Sequence, residues 1–531
     1  MNTLKNHYPV ILTTVIFLAI VINIISGDIR QNEGNFIYAG DDCYIHMSMA
    51  RNFSQYGVWG ITKYEFSSSS SSLLWTLLLS AVYFLFGVND IWPLVINLII
   101  SLFMIFLLYF ILRIYKVNSF FIFFILLAII FLTPLFTLVL LGLEHIVHTV
   151  ITISIIYLAS VLLSNEYVLS GKTISFREVL LLILSVLVTM TRYEGIFLIF
   201  VISLMYMFRK RISHALLIAL AGFLPVGIYG LISLTKGWYF LPNSVLLKGY
   251  GYSPFTSYAD LIIFALVKYR KLVENPHMLM LIIGSLFLFY ILYSKDKKLW
   301  KDKNIMLIIF TGLALLHMFF ASTGWVYRYE AYLVAAGIFF ISAGLSEYVH
   351  FTRDKTMLPQ YVTVIILCLL MSLSLVERSY EAFNINIKAS SDIYREQYQM
   401  GLFLKKFYNG ETVALNDIGA TSYLSEIKIL DIWGLGSLEI AKANIGKYYT
   451  SDEIYRLAAE KQVNIAICYE LPEIPSGWIK VGQLEVPDAT VSGKAVSFYG
   501  INSSEADRLA RNLKNFKFPQ GTAMFITRKV Q

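Results

Sequence analysis

The chain has 531 residues, 57% of them hydrophobic and only 15% charged, with 43 Lys+Arg against 35 Asp+Glu for a formal charge of +8. Ordinary soluble domains carry roughly 25% charged residues, so a soluble globular protein is excluded, as are disorder and a module stapled by three scattered cysteines. In a membrane protein the positive surplus serves to orient the spans, and no nucleic-acid role is assigned.

Apolar runs, many near the ~20 residues that cross a bilayer, recur from Tyr8 to Leu375. The first, Tyr8 to Ile25, follows only Lys5 and His7 and lacks a small-residue cleavage site, so it reads as a retained helix. With the N-terminus cytoplasmic, the positive clusters Arg113 and Lys116, Lys172 and Arg177, Arg209 to Arg211, Lys295 to Lys303, and Arg353 with Lys355 all fall inside. This requires Leu73 to Phe86, at about 14 residues too short for a span, to be an interfacial helix. Eleven crossings follow, near 8–25, 91–112, 119–141, 145–163, 178–191, 196–208, 213–234, 277–294, 304–321, 329–346 and 358–376.

Past Val376 the character changes. Strands are expected at Thr412 to Leu415, Val463 to Cys468 and Ala495 to Tyr499, with amphipathic helices around Ser451 to Lys461 and Ser503 to Leu513. The organisation read from this is a membrane domain, 1–376, followed by an extracytoplasmic α/β domain, 377–531. No helical-repeat period is visible.

Under this topology Asp41, Asp42, Glu144, Arg192, Glu194, Asn243, Lys248, Arg328 and Glu330 all lie on the non-cytoplasmic side. Ionisable groups at membrane depth are costly and gather around a polar cavity or one another, so one-sidedness points to one site. Asp41 and Asp42 open a short helix; an adjacent carboxylate pair suits a general base beside a metal ligand, and a helix cap, which needs only one of them, is the alternative. Cys43 reads as a packed thiol. His46 shares a helical face with Asp42, and a surface role is expected for it rather than ligation. Glu144 needs a metal or a cation for company. Arg192 and Glu194 could form an ion pair that fixes their turn, whereas Asn243, Lys248 and Arg328 supply donors and charge suited to a phosphate or, equally, to lipid headgroups. The serine run Ser67 to Ser72 reads as a flexible loop without chemistry. Asp417 and Asp431 are expected at strand ends, where ligand loops gather in α/β folds.

Taken in order, the segments "GDDCYIHMSMARN", "SSSLLW", Gly142 to Glu144, Arg192 to Gly195, Pro242-Asn243 and Asp417 to Leu435 resemble the GT-C superfamily of polytopic glycosyltransferases. The closest likeness is to bacterial cell-wall arabinofuranosyltransferases, although Ser71 and Tyr193 stand where that pattern has proline. The resemblance spans nearly the whole chain. It implies transfer of a sugar, an arabinofuranose-like pentose or a hexose, from a polyprenyl-phosphate donor to an extracytoplasmic glycan, lipid or protein, in the cell (inner) membrane. Asp41 is then the base, with Asp42 and Glu144 as ligands of a divalent ion (Mg, Mn or Ca) or of the donor, the two aspartates being exchangeable. Lys248 and Arg328, with Asn243 and Arg192, are the implied phosphate and donor contacts. A multi-pass transporter or lipid flippase is the competing class, but transporters tend to show internal repeats and midplane polar sites.

Overall fold

The structure is a computed structural model that describes residues 2–164, 175–248, 258–351, 358–470 and 472–529. Its first part is a helical bundle: α1 (Asn2–Gln31), α2 (Asp41–Tyr56), α3 (Leu73–Phe86), α4 (Trp92–Ile114), α5 (Ser119–Leu132), α6 (Leu135–Leu140), α7 (His145–Ser164), α8 (Phe176–Thr191) and α9 (Gly195–Phe208). There follow α10 (Ile212–Thr235), α11 (Asn243–Lys248), α12 (Tyr258–Glu274), α13 (Pro276–Asp296), α14 (Asp302–Phe320), α15 (Ala331–Phe351) and α16 (Leu358–Ile393). Among the described residues seven helices are long and apolar enough to cross a membrane, and α3, α5 and α9 are shorter apolar helices. This is a multi-pass membrane protein. The expected cytoplasmic residues Lys172, Arg353 and Lys355 lie outside the described residues.

α7 is buried on nearly all sides because it packs against α8, α14 and α15, whereas α4, α5 and α10 keep a wide apolar face outward, as lipid-facing helices must. The run expected to cross at 119–141 is two helices, since Pro134 cannot continue α5. α12, missed by the sequence reading, is amphipathic: Ile262, Ile263 and Leu266 are exposed while Lys271 is buried.

The 36-residue α16 runs straight through the expected boundary at Val376, then passes through a π-helical turn (Tyr394–Tyr398) into α17 (Gln399–Phe407). Beyond it lie β1 (Thr412–Leu415), α18 (Gly419–Leu424), β2 (Lys428–Asp431), α19 (Leu438–Gly446), α20 (Ser451–Glu460), β3 (Ile465–Cys468), β4 (Ile479–Glu485), β5 (Ala495–Gly500), α21 (Ser503–Lys514) and β6 (Ala523–Ile526). The sheet order is β2-β1-β3-β5-β4-β6, with β1 parallel to β2 and β3 and the remaining pairs antiparallel. Thus the chain is a polytopic helical membrane protein with a C-terminal α/β domain. α21 starts where Asn502 accepts a bond from Glu505 N (2.9 Å) and buries Ala506, Leu509, Ala510 and Leu513 at the 3-4 spacing of one helical face.

α2 joins the two parts. Cys43, Tyr44 and Met47 belong to the bundle core, and Ile45 and Met49 to the core of the sheet domain. A helix buried on both sides must be apolar or small around most of its circumference, which is how Cys43 to Ala50 reads. Arg51, which closes this run, donates to Tyr423 O (2.6 Å) and Ser422 O (3.1 Å), satisfying carbonyls at the end of α18.

Candidate active site

Six segments of the chain meet at a cavity of about 210 Å³, whose charged and polar lining includes Asp42, His46, Glu144, Arg192, Ser244 and Arg328. Asp42 and His46 face it together because they lie one helical turn apart on α2. His46 is buried, and its Nδ1 lies 3.0 Å from Thr76 Oγ1, which corrects the expected surface role.

Asp41 sits about 100° further round the helix and points elsewhere. Its two carboxylate oxygens accept from Gly419 N (2.7 Å) and Ala420 N (2.8 Å), so it binds the first turn of α18 in the α/β domain. Only glycine fits at 419, since a Cβ there would lie 2.1 Å from the Asp41 carbonyl oxygen. Of the pair, the cavity therefore receives Asp42, one of the two aspartates whose expected roles were exchangeable.

Glu144 reaches the cavity through the turn after α6. Gly142 has φ +65°, and a Cβ on it would come within 2.5 Å of Cys43 Sγ, so a glycine lets this turn press against α2. Glu144 Oε1 accepts from Arg192 Nη1 (2.7 Å), and Arg192 Nη2 donates to Glu194 (2.7 Å), which gives the expected ion pair and extends it. Arg328 donates to Asp42 Oδ2. The two arginines share one ring: their guanidinium carbons lie 5.4 and 5.2 Å from the centroid of Tyr329, within cation–π range.

The loop that carries Arg328 is strained. Gly324, Trp325, Val326 and Tyr327 have φ of 80°, 47°, 58° and 57°, and left-handed backbone costs a non-glycine residue roughly 1–2 kcal/mol. Buried Glu330 offsets this by accepting from Gly324 N (2.9 Å) and from Arg378 Nε (3.2 Å), while Arg378 also donates to Tyr327 O. Glu330 is thus a brace for the loop.

Several buried polar atoms around the cavity have no hydrogen-bond partner: Arg192 Nε, Arg328 Nε, Tyr193 OH, Ser244 Oγ and Glu144 Oε2. Native interiors rarely leave such atoms unsatisfied, and a cluster of them marks the place of a polar ligand. Four of these five can donate, the two arginine Nε groups and the hydroxyls of Tyr193 and Ser244, around an anion-sized space.

The expected metal ligands do not fit a metal. Asp42 and Glu144 are each neutralised by an arginine, and among the described residues no three His, Cys, Asp or Glu side chains are grouped to hold an ion. Asn243 is not in the cavity lining; its Nδ2 donates to Gly434 O (2.7 Å) and ties α11 to the α/β domain. Lys248 closes α11, and its side chain lies outside the described residues.

The serine run is not a flexible loop. Ser67, Ser68, Ser69, Ser70 and Ser72 are buried, and Ser71 lines the cavity. Ser69 donates to Leu435 O (2.8 Å), Ser68 pairs with Tyr229 (2.9 Å), and Ser72 caps α3 by accepting from Trp75 N (3.2 Å). The cap, a serine just before an apolar helix, was the one local signal for order here.

Behind Asp41 lies a second group of acids. Tyr469 OH is 2.7 Å from Glu396 Oε1 and 2.9 Å from Asp417 Oδ2, with Gln397 Nε2 3.1 Å from the same Asp417 oxygen. A phenol donates one proton, so the second contact requires a protonated carboxyl. Burial and the neighbouring Asp417 push Glu396 up to about 8, and burial likewise raises Asp417 and Asp41. Asp431, at the end of β2, accepts from Trp433 N (2.8 Å) and Gly436 N (2.6 Å) and shapes the following loop.

A family model described as a domain of unknown function, DUF8728, matches residues 386–499. No curated protein matches the chain. Among solved structures, the archaeal oligosaccharyltransferase AglB from Archaeoglobus fulgidus, in complex with an inhibitory peptide and a dolichol-phosphate, aligns at 12% identity over 96% of this chain and 76% of that one, with a TM-score of 0.46. ArnT from Cupriavidus metallidurans, bound to undecaprenyl phosphate, aligns at 11% identity over 92% of this chain and 98% of that one, with a TM-score of 0.52. At that identity the likeness concerns architecture, and the chain has the fold of ArnT from one end to the other.

Proposed function

We propose that the protein is a GT-C glycosyltransferase that transfers a sugar from a polyprenyl-phosphate donor to an extracytoplasmic glycan, lipid or protein. The observation that carries this reading is the cavity: two buried arginines with unpartnered Nε groups beside one carboxylate, Asp42, that faces the same space. The ArnT fold supports it, because that structure holds undecaprenyl phosphate.

In this reading Asp42 removes the proton of the acceptor hydroxyl as its oxygen attacks the anomeric carbon. The bond from that carbon to the phosphate oxygen breaks, and polyprenyl phosphate departs against Arg328 and Arg192, whose guanidinium groups stabilise the growing negative charge. Glu144 and Glu194 hold Arg192 in place, and both arginines lie within cation–π range of the Tyr329 ring. No step is assigned to a metal. Asp41 holds the outer domain over the site. The sugar is an arabinofuranose-like pentose or a hexose, on the strength of the motif order alone.

The N-terminus is assigned to the cytoplasm and the α/β domain to the outside of the cell (inner) membrane, on the distribution of lysines and arginines. A reporter fused after Gln531 should be active only outside, and one inserted at Lys297 only inside. The central test is transfer by the purified protein from a panel of synthetic polyprenyl-phosphate pentoses and hexoses. Turnover with none of them, by protein that retains its fold, would overturn the proposal.

A further inference from the structure

Helix α10 is a membrane span that ends at Thr235, and the chain then doubles back on it. Ser233 Oγ donates to Tyr239 O (2.6 Å), and the Phe240 ring lies so close to Gly230 that a Cβ there would come within 2.4 Å of it. Tyr239 and Phe240 therefore sit at the depth of the last turns of the span, and Phe240 is exposed there.

The outer domain comes down to the same level. Tyr448 neighbours Tyr239, Gly446 packs against the Tyr448 ring, and Asn444 Nδ2 donates to Trp433 O (3.3 Å), so the end of α19 and the loop after β2 form one corner. On that corner Trp433, Ile445 and Tyr448 are 47%, 44% and 51% exposed. Lys442 and Lys447 are exposed beside them, as is Lys236 at the end of the span. Tryptophan and tyrosine with a basic fringe, at the level where a span leaves the bilayer, have the chemistry of the membrane interface.

We propose that this corner is a lipid-docking surface: Trp433, Ile445 and Tyr448 enter the interfacial zone of the leaflet from which α10 emerges, and Lys442 and Lys447 meet anionic headgroups. The occupant is the protein's own bilayer, because the surface continues that of the span through Tyr239 and Phe240. The contact has a consequence for the cavity. Gly434 and Leu435 of the docked loop are bonded to Asn243 and Ser69, so the lipid surface helps to hold the outer domain against the serine wall.

The test uses the full chain in nanodiscs without substrate, which separates it from the proposed reaction. A nitroxide on Ile445→Cys, with the unsubstituted chain as labelling blank, should collide more often with oxygen than with a water-soluble nickel chelate. Should Ile445→Cys not fold, Trp433→Phe should lower the share of fluorescence quenched by brominated lipids. Preferential collision with the chelate, or unchanged bromolipid quenching in Trp433→Phe, would overturn the proposal. So would a label shielded from both reagents and broadened by a second label, which would place another copy of the chain on this face. With anionic lipid in the nanodisc, the double variant K442E/K447E should shift the label toward the chelate.

Discussion

Two groups of carboxylates lie on different faces of α2, and they are neutralised in different ways. In the cavity, Asp42 and Glu144 each meet an arginine. At the junction with the outer domain, Asp41, Asp417 and Glu396 crowd together around backbone amides, a glutamine and a tyrosine. An arginine keeps its charge at every pH a protein meets, so each cavity carboxylate has a permanent cation beside it. The junction carboxylates can be neutralised only by protons, which suits them to hold two domains together and makes the joint sensitive to pH. One acidic doublet, Asp41-Asp42, thus lines the cavity with one member and joins the two parts of the molecule with the other.

The largest expected effect separates those two members. Asp42→Asn keeps the shape but cannot accept a proton, and loss of a general base typically costs ~10²–10⁴-fold in turnover. If Asp41→Asn fell as far in the same transfer assay, with its melting temperature unchanged, the division of labour would be wrong. Next come the arginines. Arg328→Ala or Arg192→Ala should weaken donor binding about tenfold or more, and lysine should rescue poorly because it lacks the planar fork. Titration with the donor in detergent reads this directly, and full rescue by lysine would argue for a simple point charge.

Asp41→Asn should act on stability. An amide presents one acceptor oxygen to the two N–H groups of Gly419 and Ala420, and a hydrogen bond to a charged group contributes roughly 1.5–3 kcal/mol. The expected readout is earlier proteolysis between the domains with the bundle intact.

The smallest effect concerns Glu396. Its folded pKa of about 8 lies above the ordinary carboxylate value. Between those two values the folded protein keeps a proton that the unfolded chain has released, so stability falls as pH rises across that window and stops falling above about 8. Glu396→Gln should therefore raise the melting temperature by a few degrees at pH 8 and leave it unchanged near pH 4. A flat difference between pH 4 and pH 8 would mean that the junction carboxylates are neutralised by something other than protons.

Parts of this organisation were legible in particular residues. The apolar run Leu73 to Phe86 marked a helix, and the β-branched run at Thr412 marked a strand, because both depend on local chain length and side-chain shape. β4 and β6 were not seen. β4 carries Lys480, Gly482 and Gln483 among its apolar positions, and β6 is only four residues long, so neither has a local pattern strong enough to stand out. His46 and the serine run were read as solvated since they are polar; their partners Thr76, Tyr229 and Leu435 are up to 366 positions away, and no local rule links them.

By itself, then, the sequence determined that the chain lies in a membrane, that an α/β domain follows the apolar helices, and which acidic and basic residues stand apart from the apolar runs, because hydropathy and charge act locally and additively along the chain. The tertiary structure decided what each outlier does. Whether an aspartate faces a cavity or the amides of another domain depends on a rotation of about 100° per residue about α2 and on what packs against each face. Asp41 and Asp42 are identical in local sequence terms, and only the approach of Gly419 on one side and of Arg328 on the other makes them different.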